Sequence, residues 1–286
     1  MTEHNFGGAW TEIKLTVLKK YLNFYTKALK NMGFKLYYID AFAGTGDRIE
    51  NIPAAPIFGK EESKKIYSGS AQIALSTEPL FDAYLFIEKD KERVAELEGL
   101  VQRFDGKRVV KIKQDDANIV IQEMCAQPQW YNKPIRGVIF LDPYGLQVEW
   151  STLEAIAKTK ALDVWFLFPL SGVNRQASLD HEKMESYKKK RLTRMFGTGD
   201  WENYFYKTKT ENDLFGSTEK TERINIQEIE NWVTKRLKDC FPYVSKPLPL
   251  PSTGSQFFSL FFCVSNPDGK AIGLATKAAN HILKHL

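Results

Sequence analysis

Five short apolar runs, each followed by a stretch of different periodicity, constrain this chain more than any other feature. KLYYIDAFA (35–43), AYLFIE (83–88), RVVKI (108–112), GVIFLD (137–142) and DVWFLF (163–168) are almost unbroken in aromatic and branched residues. Runs of that kind are strands buried on both faces, as happens when helices cover a parallel sheet. Helical spacing fills the gaps at about 89–103, at about 117–126 and after Trp150. Ahead of the first run, Ile13, Val17, Leu18, Tyr21, Leu22, Tyr25 and Leu29 recur with a helical period among lysines, and Gly33 closes that helix. The class is therefore α/β and doubly wound.

After Phe168 the alternation stops. Residues 171–223 are polar, rich in Lys, Glu, Thr and Asn, and read as an inserted accessory segment. A helix at about 225–239 resumes the pattern, followed by a strand near 240–244, a proline-punctuated connection, a strand at 257–264 and a final helix at about 270–283. Two late strands joined without a helix imply an antiparallel pair closing the sheet. The expected organisation is one domain built from 1–170 and 224–286, interrupted by 171–223.

A chain of 286 residues with 43% hydrophobic and 26% charged composition carries enough apolar surface for a substantial core, which excludes disordered and fibrous classes. The three cysteines, Cys125, Cys240 and Cys263, form no CxxC pair, so the expectation is inert thiols in a reducing cytoplasm and no structural zinc. His281 and His285 are four apart but lack the glutamate of a zinc-protease motif, and read as a helix end. No run approaches the roughly 20 apolar residues of a membrane span, and the start does not resemble a secretory signal. The net charge of +5 permits an anionic partner without requiring one. YKKKRLTRM (187–195) sets five cations in seven positions, yet acidic residues nearly balance them across the segment, so it reads as a solvated helix face. Arg175, just after the fifth strand, lies where it could reach a substrate mouth.

In open α/β sheets ligands bind beyond the carboxyl ends of the strands, where strand order reverses. Four strand ends here are polar or glycine-rich. DAFAGTG puts Asp40 beside a turn with Gly44 and Gly46, where backbone approaches a ligand closely. The dinucleotide fingerprint GxGxxG fails, because Phe42 and Ile49 fill two of its small positions; no Gly-Lys-Ser/Thr follows for a phosphate loop. A carboxylate at this loop suits a cation, and S-adenosylmethionine carries an ammonium and a sulfonium without phosphate. Glu88 ends the second strand, where a carboxylate can accept both hydrogen bonds of a ribose diol; its distance from the glycine loop implies an insertion over 47–68. Asp90 reads as a helix cap. Of Asp115 and Asp116, one could accept from an adenine amino group and at least one caps a helix. The fourth end, FLDPYG, places Asp142 to accept an N–H from the methyl acceptor and take its proton, Pro143 to stiffen the turn, and Tyr144 to stack on a planar substrate.

DAFAGTG, FIEKD, DDAN, FLDPYGLQVEW and FSLFFCVSNPDGKA together resemble the three-Cys-motif partner protein family of bacteria, over most of the chain. The resemblance implies a class I S-adenosylmethionine-dependent methyltransferase fold, a seven-stranded, mostly parallel, Rossmann-like sheet with an antiparallel last strand. It implies a neighbour-encoded partner bearing a three-cysteine motif. It assigns Asp40, Phe42, Gly44 and Gly46 to the donor loop, Glu88 to the ribose, Asp116 to the adenine, and Asp142 with Tyr144 to the acceptor. Nitrogen methyltransferases of DNA or RNA more often carry DPPY at the last position. Cytosine-C5 transfer would need a nucleophilic cysteine after proline, and none of the three stands there. The expectation is an N-methyltransferase acting on a nucleic acid or partner protein; the alternative is a methyltransferase-like binding subunit without turnover.

Overall fold

The computed structural model describes residues 9–45, 47–52, 63–104, 106–213, 216–251 and 255–286. In chain order the elements are α1 (Ala9–Leu29), β1 (Lys35–Asp40), β2 (Asp47–Ile52), β3 (Ser63–Ser68), α2 (Ser70–Leu75), β4 (Ala83–Glu88), α3 (Lys91–Gln102), β5 (Val110–Gln114), α4 (Ala117–Cys125) and α5 (Gln129–Asn132). There follow β6 (Ile135–Leu141), α6 (Trp150–Lys158), β7 (Leu162–Phe168), α7 (Leu170–Gln176), α8 (Ser186–Phe196), α9 (Trp201–Phe205), β8 (Tyr206–Asp213) and β9 (Gly216–Arg223). The chain ends with α10 (Ile226–Cys240), β10 (Tyr243–Val244), β11 (Leu248–Leu250), β12 (Phe258–Val264) and α11 (Gly269–Lys284).

The main sheet runs β10-β12-β7-β6-β1-β4-β5. The five strands from β7 to β5 are mutually parallel. β12 is antiparallel to β7 and to β10, and β11 adds a short antiparallel pairing to β12. The expected mostly parallel sheet with an antiparallel last strand is thus present, with eight strands rather than the seven expected because β11 joins β12. That last strand is inserted beside β7 rather than set at the edge. β10 is only two residues long because the helical period of α10 continues to Cys240, shortening the strand expected at 240–244.

Period-two alternation divides each buried run between two cores. From β6, Ile139 and Leu141 join one apolar cluster with α4, α6 and α10, while Val138 and Phe140 join the other with α1, α2 and α11. On the second face Tyr21 of α1 packs on Trp165 and Phe262 with ring centroids 5.4 and 5.0 Å apart, and its hydroxyl donates to Asp163 at 2.6 Å. Local chemistry marks the helix starts: Asp90, Asp116 and Asp268 each accept a backbone N–H at the first turn of α3, α4 and α11, and Asn225 with Glu228 forms a capping box on α10.

The 47–68 stretch forms an antiparallel hairpin, β2 with β3, in the first crossover; residues 53–62 lie outside the described set. In 171–223, α7, α8 and α9 precede a second hairpin, β8 with β9. Its helices share the first core: Phe196, Trp201 and Phe205 are buried, and Phe196 and Phe205 meet Trp232 of α10 edge-on at 5.0 and 5.4 Å. Gly197 ends α8 at φ +68°, and a Cβ there would sit 2.6 Å from the Trp150 ring of α6. Gly197→Ala combines a left-handed backbone with a collision against an indole, so thermal unfolding should show a loss of roughly 2 kcal/mol or more. An unchanged melting temperature would mean that the α8–α6 contact is not tight.

Candidate active site

β1 has β4 on one side and β6 on the other, so strand order reverses there and the loops leaving the three strands surround one crevice of about 730 Å³. That size falls within the range of small-molecule sites. Phe42, Gly44, Glu88, Asp116, Asp142, Pro143 and Tyr144 all line it, although they come from four strand ends spread over a hundred residues. Gly46 lies outside the described residues.

On one wall the loop after β1 is held by Glu88. The Gly44 N–H donates to Glu88 Oε2 at 3.0 Å, while the Lys89 and Asp90 N–H groups donate to Oε1, both at 2.9 Å. A carboxylate has about four acceptor positions, so Glu88 fixes the loop and keeps capacity for one further donor. Gly44 has φ +60° and its missing Cβ would meet nothing within 4 Å, so backbone conformation is what calls for glycine, and the loop edge stays bare. Asp116 caps α4 by accepting from the Asn118 backbone N–H at 2.9 Å and side chain at 3.2 Å, and lies 3.5 Å from Lys89 Nζ. Burial opposes ionisation of Asp116, but the Asn118 hydrogen bonds and the Lys89 charge outweigh it and hold its carboxyl below the ordinary value.

On the opposite wall Asp142 leaves β6 and meets Lys14 of α1, Nζ to Oδ2 2.5 Å. Lys14 is almost buried, 9% exposed at its side chain, and its ammonium lies 5.6 Å from the Trp10 ring, which itself contacts Phe258 at 5.0 Å. Pro143 is buried; Tyr144 stands at the mouth, 84% exposed, with its N–H donating to Gln147 Oε1. Gly145 adopts φ +81° to complete the turn.

Asp40 does not front the crevice. Strand alternation points it to the face of Tyr38, whose hydroxyl donates to Oδ2 at 3.1 Å, and it is fully buried with Oδ1 unpartnered. Burial pushes its carboxyl up to about 7, against hydrogen bonds from Ser70 and Tyr38 and with a further push from the charge of Asp142. Asp40 therefore sits behind the loop and does not line the crevice, unlike the donor-loop position expected for it.

Several crevice residues were not singled out in the sequence. Lys14 shares the apolar stripe of Val17, Leu18 and Tyr21 at i+3, i+4 and i+7, and a charge on such a stripe needs a buried partner; that was the available signal. Asn118, 8% exposed, donates to the Gln147 carbonyl and accepts from the Glu149 N–H and the Thr152 hydroxyl, tying α4 to the loop after β6. Arg191 and Arg194 of α8 line the same crevice, beside Arg175 of α7, which the sequence placed near a substrate mouth. The stretch 187–195 is the helix expected, but two of its cations face the site.

No family model matches the chain and no curated protein is similar to it. Solved structures do overlay on it. Protein LPL1258 from Legionella pneumophila is 13% identical, with 97% of this chain and 92% of that one covered at a TM-score of 0.53, a likeness that shows the fold alone. A putative S-adenosylmethionine-dependent methyltransferase from Listeria monocytogenes is 12% identical over 84% of this chain and 98% of that one, TM-score 0.37. Trm1 from Pyrococcus horikoshii, solved with S-adenosyl-L-methionine, is 12% identical over 95% and 75%, TM-score 0.37. The parallel strands, the inserted antiparallel strand and the loop after β1 make this a doubly wound, Rossmann-like α/β fold. Among the described residues no helix is long and apolar enough to cross a membrane.

The buried acid generates a pH test. Asp40 holds a proton in the folded state up to about pH 7, whereas the unfolded chain releases it near 3.8. Stability therefore falls as pH rises from about 4 to 7 and levels off above. Urea denaturation across that window should give Asp40→Asn a shallower decline than the unsubstituted protein; equal slopes would place the titration elsewhere.

Proposed function

We propose that the protein is an S-adenosylmethionine-dependent methyltransferase that modifies a nitrogen on a nucleic acid or a partner protein. The observation that carries this reading is one crevice, at the strand-order reversal, with a glycine loop and Glu88 on one wall and Asp142 on the other. The residues present fit the donor. The bare edge at Gly44 lets a ligand approach backbone, Glu88 has an acceptor position left for a ribose hydroxyl, and Asp116 supports an assignment to the adenine amino group. The carboxylates at the strand ends, Glu88, Asp116 and Asp142, are acceptors for the hydroxyl and amino groups of a sulfonium nucleoside, while the cations that also line the crevice keep its overall charge near balance. When bound, S-adenosylmethionine supplies an electrophilic methyl group.

The chain's own part is orientation and proton handling. Lys14 pins Oδ2 of Asp142, which leaves Oδ1 to accept the N–H of the acceptor and to receive its proton. Tyr144 at the mouth and the Trp10–Phe258 pair in the lining offer flat apolar surface to a planar group and exclude water. The resemblance to three-Cys-motif partner proteins adds a neighbouring protein with a three-cysteine motif as a working companion. The free cysteines, two of them buried, fit a reducing cytoplasm.

A second reading is favoured by one observation: the Asp142 carboxylate is already engaged by Lys14, which also suits a methyltransferase-like binding subunit without turnover. Calorimetry and methyl-label transfer to fractionated cell extract separate the two. Under the first reading S-adenosylmethionine binds with submillimolar affinity, Glu88→Ala weakens it roughly tenfold or more, and Asp142→Ala keeps donor binding while transfer falls roughly a hundredfold. Donor binding with no label on DNA, RNA or protein supports the second. Failure to bind either the donor or its demethylated product removes the first reading and leaves the second.

A further inference from the structure

One wall of the crevice carries two cations that, among the described residues, no acidic side chain neutralises. Arg175 at the end of α7 and Arg191 on α8 line the mouth, and neither has an acidic partner among the described residues. Arg194, one turn beyond Arg191, is engaged by Glu149. Tyr187, four residues before Arg191 on the same face of α8, is 57% exposed, so an aromatic ring and a guanidinium form a stripe along the outer side of the helix. The stripe is held rigidly, because Leu192, Met195 and Phe196 on the other side of α8 are buried in the core.

Below this rim the chemistry reverses. Asp142 is three quarters buried, and Tyr144 and the Trp10–Phe258 pair line the same crevice. An acceptor that satisfies both levels carries negative charge outside and a flat ring with an N–H inside. An acidic peptide matches the rim but presents no planar nitrogen ring to the aromatic slot. A nucleotide within a strand matches both, its phosphates on the arginines and its base between the rings. A paired base cannot reach a carboxylate set this deep without leaving the duplex.

Resting on the methyltransferase reading above, we propose that the acceptor is an unpaired base of a nucleic acid whose backbone is held by Arg175 and Arg191. Single-stranded RNA and single-stranded DNA share that chemistry, and the test includes both beside duplex.

The experiment is fluorescence anisotropy with labelled 20-mers of single-stranded RNA, single-stranded DNA and duplex DNA over a salt series, with calorimetry of S-adenosylmethionine on the same samples. A single strand should bind more tightly than duplex. In the Arg175→Ala/Arg191→Ala double variant its affinity should drop roughly tenfold or more, and the slope of log affinity against log salt should shrink by about 1.4, the share of two phosphate contacts on a single strand. Donor affinity in that variant should be unchanged, which also shows that it folds. Arg175→Lys/Arg191→Lys should retain most of the salt slope. Wild-type protein that binds the donor but no oligonucleotide, that prefers duplex, or that labels only protein, overturns this inference and leaves the methyltransferase reading standing. Wild-type protein that fails to bind the donor overturns that reading itself.

Discussion

β1 is clamped between two parallel neighbours, with Asp40 in register with Phe86 of β4 on one side and Phe140 of β6 on the other. Because all three strands point the same way, their outgoing loops must emerge at one edge of the sheet. Because the chain proceeds outward from β1 in both directions, the helices that follow β4 and β6 part company there and leave a gap. The Ala41 and Ala43 amides extend the clamp beyond the strand proper, donating to Phe140 and Ile87. Everything that gives the crevice its character is attached to that seam.

Electrostatically the crevice is mixed. Carboxylates stand at the strand ends, Asp142 with the buried Lys14 as counterion and Asp116 beside Lys89, while α7 and α8 contribute Arg175, Arg191 and Arg194 to the lining. Burying an ammonium against a carboxylate carries a desolvation cost that a lone surface pair would not, so the Lys14–Asp142 contact is a weak source of stability and a strong constraint on geometry. Lys14 comes from a helix outside the alternating pattern of strands and helices, and it reaches the sheet because Val17, Leu18 and Tyr21 on the same stripe anchor α1 across the second core.

Much of this was readable from the residues alone. The five apolar runs and the glycine turn after the first of them identify the sheet, its parallel sense and the edge where ligands go, because burial on two faces leaves an unmistakable composition. Four strand ends expected to converge do so. What stayed hidden depends on directions that composition does not encode. Asp40 lies at a strand end like Glu88 and Asp142, yet alternation turns it under the loop toward Ser70 rather than into the opening. Arg191 and Arg194 are indistinguishable in sequence from the other cations of 187–195, and only the docking of Phe196 and Leu192 into the core decides which of them turn toward the site. Lys14 had a signal, a charge on an apolar stripe, but its partner lies 128 residues away.

The two walls of the crevice are built from separate parts of the chain, β1, β4 and α4 for one, and α1, the loop after β6, α7 and α8 for the other. Asn118 bolts them together, its amide group engaged at once with Asp116, Gln147, Glu149 and Thr152. The consequence is a modular division: residues on the far wall can be exchanged to suit a new target while the cradle opposite is kept, so long as Asn118 keeps its four partners.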